Sequence, residues 1–292
     1  MKVSGFTFIR NAVKFDFPII EAITSILPVC DEFIVAVGNS DDKTLDLIKS
    51  INSEKIKIIN TVWNDSLRKG GKVLADETNK AFHAISDDSD WCFYIQGDEV
   101  VHEKYLDTVL SEMKKWKDDD SVDGLLFKYK HFYGSYDYVG ASYKWYRREI
   151  RVIKNNKNFY SYKDAQGFRK YNNKKLNVKL IDAYIYHYGW VKHPKDMLRK
   201  RLGTAIFWHP DKWIKENITD KENFDFYKNI DSLEVFKESH PAVMQKRINR
   251  KNWKFDYDIS FNKSSLKEKV KKIADKLIGW RIGEYKNYKI IK

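Results

Sequence analysis

The sequence predicts an α/β fold, a doubly wound sheet flanked by helices and followed by a C-terminal helical extension. Three observations predict it. Apolar runs of strand length alternate with segments whose apolar residues recur at helical spacing. One run, Trp91-Cys92-Phe93-Tyr94-Ile95, is apolar throughout, as in a strand buried on both faces. It breaks at Gly97 into Asp98 and Glu99, where ligands of open α/β sheets sit, outside the carboxyl ends of the strands.

The elements follow in order. Residues 3–9 form the first strand. A helix follows from about Asp16, with Pro18 in its first turn and Ile20, Ile23 and Leu27 on one face. Residues 33–37 make a second strand, which ends at Gly38-Asn39-Ser40-Asp41-Asp42, and Leu45, Ile48 and Ile51 mark the next helix. A strand at 56–62, a helix at 72–85, the strand at 91–95 and a helix at 103–116 complete the alternating half. Right-handed crossovers put the loops after Ile9, Val37 and Ile95 on one edge. Beyond this, 124–129, 149–153 and 183–188 read as strands separated by long segments rich in aromatics and lysine. The chain turns helical again from Pro194 to about Trp208. Residues 211–262 lack clear period, and 264–279 is an amphipathic helix.

With 292 residues the chain is long enough for one large domain with an appendage. Its net charge of +13 points to acidic partners: nucleotide phosphates, nucleic acid or an anionic membrane face. Cys30 and Cys92 sit beside apolar residues and match no zinc spacing. Arg10, Lys14 and Asp16 interrupt any signal-peptide core, and no apolar run approaches the ~20 residues of a membrane span. A cytoplasmic protein is expected, peripheral at most to the inner membrane face.

The order of motifs resembles a family 2 glycosyltransferase. Arg10-Asn11 follows the first strand and Gly38-Asn39-Ser40-Asp41-Asp42-Lys43-Thr44 the second. Asn79 and Ala81 lie on a helix, and Tyr94-Ile95-Gln96-Gly97-Asp98-Glu99 ends the fourth strand. Asp123-Gly124, Glu149-Ile150-Arg151-Val152-Ile153 and His187-Tyr188-Gly189-Trp190 continue the likeness, which is greatest to the branch acting on lipopolysaccharide cores and other surface glycans. The resemblance implies a GT-A fold with a mixed sheet over residues 1–210. The nucleotide-binding half is expected at about 1–120, the acceptor half at about 121–210, and an extension at 211–292 that is mostly helical. It also implies sugar transfer from a nucleoside-diphosphate sugar to a glycan or lipid-linked hydroxyl, with inversion and with Mn²⁺ or Mg²⁺.

The chain departs from the family pattern in two places. Ala12 follows Asn11 where a Glu is usual, and Gln96-Gly97-Asp98 replaces Asp-x-Asp, so Gln96 supplies hydrogen bonds but no charge. Asp98 then needs a second metal ligand. His187, on an alternating strand before Gly189, is the expected one; the plain alternative is a histidine bonded to a carbonyl.

Arg10, Asn11 and Asp41 resemble nucleoside contacts, although Asp41 would equally suit a helix cap. Lys72, after Gly70-Gly71, is placed to reach a diphosphate or to sit in water, and Arg151 is a second source of charge there. Asn79, a poor helix former, suggests a hydrogen-bonding task. Asp164 is the expected general base and Glu149 the alternative; either would also suit a surface ion pair beside Lys163 or Arg148. Aromatics between Phe127 and Trp190 suit an acceptor cleft or a core.

Lysines at 267, 269, 271, 272 and 276 lie opposite the apolar stripe of the 264–279 helix, a composition that suits peripheral contact with an anionic membrane; packing on its own domain with the lysines in water is the commoner case for such a helix. Two rival functions are a nucleotidyltransferase with a similar sheet and a non-catalytic polyanion or nucleic-acid binder. The first normally has a glycine in the loop after the first strand, which Phe8-Ile9-Arg10-Asn11-Ala12 lacks. For the second no recognised motif is present, so no nucleic-acid partner is expected.

Overall fold

The computed structural model describes residues 1–218, 222–230, 232–262, 281 and 283–292. The helix expected at 264–279 lies outside the described residues. The first half alternates as β1 (Val3–Ile9), α1 (Ile19–Ile26), β2 (Glu32–Gly38), α2 (Thr44–Lys49), β3 (Ile56–Thr61), α3 (Lys72–His83), β4 (Trp91–Tyr94), β5 (Glu99–Val101) and α4 (Leu106–Trp116). The second half comprises β6 (Gly124–Tyr133), β7 (Tyr138–Gly140), β8 (Arg148–Lys154), β9 (Phe159–Tyr162), β10 (Gly167–Lys170), β11 (Lys174–Lys175) and β12 (Asn177–Trp190). After these come α5 (Pro194–Ala205), α6 (Asp211–Asn217), β13 (Leu233–Val235), α7 (Gln245–Asn249) and β14 (Lys289–Ile290).

The main sheet runs β13-β7-β6-β8-β4-β1-β2-β3, with β12 joined to β6, β5 and β14. Strands β4, β1, β2 and β3 are mutually parallel, while β8 lies antiparallel to both β4 and β6. This is a mixed α/β sheet flanked by helices, in keeping with a GT-A type fold.

Side-chain alternation divides the core between the two sheet faces. Val35, Val37 and Phe93 pack with Ile19, Ile23 and Ile26 of α1 and with Val109 and Met113 of α4. Phe6, Ile34 and Tyr94 pack with Ala81 and Phe82 of α3 and with Phe168 of the small β9-β10-β11 sheet. Each fully buried Ile or Phe of this kind stabilises the fold by about 1.5–3 kcal/mol.

Helix α1 starts at Ile19, directly after Pro18, and not near Asp16, which takes a left-handed φ of 49°. Two later strands are longer than expected. β6 continues through His131, Phe132 and Tyr133 because its tip is covered by chain from the C-terminal region, and β12 spans fourteen residues. The stretch 211–262 is not mostly helical in its described part. It holds two short helices and irregular chain, and β13 pairs with β7. No described helix is long and apolar enough to cross a membrane.

Candidate active site

The site forms where β4 ends. Asp98 sits inside a turn closed by the Glu99 amide on the Gln96 carbonyl at 3.0 Å, and Glu99 opens β5, so the neighbouring carboxylates part company. Glu99 turns into the protein, fully buried. Arg151 Nε and Nη2 donate to its two oxygens at 2.7 Å, Tyr129 Oη donates at 2.7 Å, and the Gln96 amide at 3.1 Å. Asp98 turns into a cleft of about 580 Å³.

Strand β12 supplies the second functional group. It pairs antiparallel with β5, His187 opposite Glu99, and the Tyr188 amide donates to the Asp98 carbonyl at 2.8 Å. This register sets His187 Nε2 3.6 Å from Asp98 Oδ1. Lys200, on α5, donates to Asp98 Oδ2 at 2.9 Å and to the Gly189 carbonyl at 3.0 Å. Gly189 closes the cradle: a Cβ there would lie 2.6 Å from His187 Nε2 and 2.8 Å from Asp98 Oδ2. Burial by itself would raise the Asp98 carboxyl, but Lys200 and then His187 outweigh it and hold the group far below the usual carboxylate range. Burial is also what depresses His187, against the pull of Asp98 and Glu99.

The opposite wall is the turn between β9 and β10. Gly167 pairs with Tyr162, leaving Lys163, Asp164, Ala165 and Gln166 as a four-residue loop. Lys163 and Ala165 both take left-handed φ values, 54° and 62°, conformations that cost non-glycine residues energy and tend to mark functional sites. They present Asp164 to the cleft, where no hydrogen bond or ion pair engages its carboxylate among the described residues. Gln96 ties this turn to the sheet through its bond to the Ala165 carbonyl at 3.1 Å. Gly71, at φ 68°, lets the start of α3 approach; a Cβ there would lie 2.7 Å from Asp164 Cβ.

The third wall is the loop after β1. Asn11, at φ 56°, accepts from the Asp41 amide at 2.9 Å, joining the loops after β1 and β2. Asp41 itself pairs with Lys14, and Arg10 with Asp65 beside the Trp63 ring. Phe8, Trp63, Phe207 and Trp208 give this part of the cleft aromatic faces.

The cleft thus gathers Arg10, Asn11, Asp41, Gln96, Gly97, Asp98, Asp164 and His187. Four expected residues lie elsewhere. Arg151 is fully buried and spent on Glu99, so it supplies no charge to the cleft. Glu149 is buried behind the turn, accepting from Gln166 Nε2 at 2.8 Å, and does not line the cleft. Asn79 clasps the Ser161 backbone, accepting from its amide at 2.6 Å, which explains a poor helix former in α3. Lys72 is exposed outside the cleft lining.

Two side chains at or behind the cleft, Lys200 and His131, escaped the sequence reading. Nothing distinguished Lys200 among 54 Lys and Arg residues. His131 carried a signal: it is in phase with Phe127 and Tyr129 on the buried face of β6, while Lys128 and Lys130 alternate on the other.

The donor set suits a hard divalent ion. Donors 3.6 Å apart can both reach one ion at bond lengths of about 2.1 Å, and Gly189 keeps the approach open. Among the described residues no three His, Cys, Asp or Glu side chains converge, so remaining ligands would come from a phosphate or water.

No family model and no curated protein matches the chain. Solved structures with a similar chain course include S. aureus TarS, at 15% identity over 76% of this chain and 41% of that one, with a TM-score of 0.41. Residues 1–349 of TarS in complex with UDP give 16% identity, coverage of 76% and 68%, and a TM-score of 0.40. Glucosyl-3-phosphoglycerate synthase from Mycobacterium tuberculosis, in complex with Mn²⁺, UDP and phosphoglyceric acid, gives 20%, 45% and 43%, with a TM-score of 0.30. The chain thus spans about two fifths of the TarS chain it matches. Likeness at this level is one of general fold and says nothing about chemistry.

Proposed function

We propose that this chain is a metal-dependent, inverting glycosyltransferase of the family 2 type, moving a sugar from a nucleoside diphosphate to a hydroxyl of a glycan or lipid-linked acceptor. The observation that carries the reading is the convergence of Asp98, His187 and Lys200 at the carboxyl end of β4, facing an Asp164 whose carboxylate has no partner among the described residues, across one cleft. Cation-binding groups and a base on opposite walls are what displacement of a diphosphate by a hydroxyl requires.

Asp98 and His187 would hold Mn²⁺ or Mg²⁺, which when bound acts as a Lewis acid on the diphosphate oxygens. Lys200 adds a fixed positive charge beside Asp98, placed to stabilise negative charge developing on the leaving group. Asp164 takes the proton of the acceptor hydroxyl as it attacks the anomeric carbon. With one base and direct displacement, attack comes from the face opposite the diphosphate and the centre inverts. The aromatic faces of Trp63, Phe8 and Phe207 suit a nucleobase, and Tyr146 and Trp190 suit a sugar ring.

A thermal-shift panel of UDP-, GDP-, CMP- and dTDP-sugars, with and without Mn²⁺, tests the reading, because a ligand that binds only the native state raises its melting temperature. One nucleotide class should stabilise the protein in a metal-requiring manner, and Asp98→Ala should abolish the effect. An equal shift in that variant defeats the assignment. Nucleoside triphosphates run beside the panel separate the rival: a shift with them and with no nucleotide sugar would instead favour nucleotidyl transfer.

A further inference from the structure

Behind His187, on the side away from the cleft, lies a second buried histidine. His131 Nδ1 is 3.0 Å from His187 Nδ1, and His131 Nε2 is 2.7 Å from the Tyr146 carbonyl oxygen. The His131 ring is held among aromatic neighbours, stacked on Trp145 and Tyr129 and edge-on to Tyr146.

The proton positions follow from what each partner can do. A carbonyl only accepts, so His131 Nε2 must carry a proton and donate to Tyr146. In a neutral ring the other nitrogen is then a bare acceptor, so the proton between the two rings belongs to His187 Nδ1. His187 Nε2 is left as a lone pair, 3.6 Å from the carboxylate oxygen of Asp98. The reverse arrangement needs a doubly protonated His131, a charge enclosed by the Trp145, Tyr129 and Tyr146 rings with no carboxylate hydrogen-bonded to it among the described residues.

We infer that His131 is a positioning residue: by accepting from His187 Nδ1 while its own tautomer is pinned by the Tyr146 carbonyl, it turns the His187 Nε2 lone pair toward Asp98 and so creates a two-donor site for a divalent cation. This rests on the metal-dependent reading above and adds the device that makes it work. Lone pair and carboxylate repel when nothing lies between them, and a cation converts that repulsion into attraction. Lys200 engages the far oxygen, Oδ2, which leaves Oδ1 facing the imidazole. Partners behind a metal-ligating histidine commonly fix its tautomer, and their loss costs 10–100-fold in metal affinity. Here the partner is another histidine, 56 residues away on a neighbouring strand.

The test uses the full chain with Mn²⁺ as the only probe. Protein ¹⁵N-labelled at histidine, metal-free and at neutral pH, should show His187 protonated at Nδ1 and bare at Nε2, the resonance being assigned by its loss in His187→Gln. In His131→Leu the His187 proton should redistribute to Nε2, and Mn²⁺ affinity by calorimetry should fall by about 10–100-fold. His131→Gln keeps an acceptor and a donor and should retain both the tautomer and the affinity, which guards against a fold defect in the leucine variant. A wild-type His187 protonated at Nε2, or a folded His131→Leu protein with unchanged Mn²⁺ affinity, overturns the inference. Manganese bound as described, with no nucleotide sugar bound in the panel above, would sink the transferase reading and leave this one standing.

Discussion

Arg151 grips Glu99 through both carboxylate oxygens, at 2.7 Å each, with neither side chain exposed to solvent. Glu99 is the residue next to Asp98, and the pair fixes the chain beyond β4, since Glu99 also takes the Gln96 backbone amide and the Tyr129 hydroxyl. Removing one partner from such a pair strands a buried charge. Arg151→Met should therefore cost about 3–5 kcal/mol of stability in urea denaturation. Arg151→Met combined with Glu99→Leu should recover much of that loss; no recovery would mean the two do not act as a pair.

Gly189 is the position where a single methyl group should separate folding from ligand binding. In Gly189→Ala the added carbon meets His187 Nε2 at 2.6 Å and Asp98 Oδ2 at 2.8 Å, and the two donors must move apart. Circular dichroism should be unchanged while the Mn²⁺-dependent shift with the cognate nucleotide sugar disappears. A full shift in this variant would rule out a cation between those donors.

Asp164 should matter for turnover and not for donor binding. Replacing a positioned base typically costs 10²–10⁴-fold in rate. Asp164→Asn should show a loss in that range in acceptor glycosylation, with nucleotide-sugar affinity by calorimetry preserved. Glu149→Gln, behind the turn, should keep much of the wild-type rate; a larger loss there than in Asp164→Asn reverses the assignment.

Lys200→Met leaves Asp98 without its ammonium and removes the fixed positive charge beside the expected diphosphate. Loss of one such stabilising group typically lowers turnover about 10²–10³-fold. Stopped single-turnover assays at saturating Mn²⁺ should show that fall, and an unchanged rate would confine Lys200 to a structural role.

Two buried groups should give stability a pH signature. Burial pushes the Glu149 carboxyl up to about 8, in spite of Arg151, and its Oε2 has no hydrogen-bond partner among the described residues to support a negative charge. Its folded pKa exceeds the unfolded value of 4.5, so its contribution is fully present below pH 4.5 and is lost as pH rises toward 8. Lys192, donating to the Asp16 carbonyl, is pushed down to about 7, first by burial and then by Lys200. There the unfolded chain holds the extra proton, so stability rises from about pH 7 toward 10.5. Urea midpoints across pH 5–10 should lose the falling limb in Glu149→Gln and the rising limb in Lys192→Met. Unaltered profiles would show that these groups titrate as they do in the unfolded chain.

What the sequence determined by itself was local. The alternation of β1 through α4, the three-residue β5 apart, could be read from periodicity, because a strand or helix that buries one face must repeat its apolar residues every two or every three to four positions. The carboxylate at the tip of β4 could be read the same way, from an apolar run that stops at Gly97. Only the tertiary structure decided which of Asp98 and Glu99 faces the cleft, because the turn that carries Asp98 and the pairing of Glu99 with His187 across β5 and β12 set the two side chains apart. The same holds for Arg151, whose strand was predicted but whose partner, 52 residues away, was set by how β8, β4 and β12 pair. Lys200, His131 and the Asp164 turn belong to that second group: they meet through strand register and helix docking, and pairing energy between distant segments leaves no periodic trace in either one.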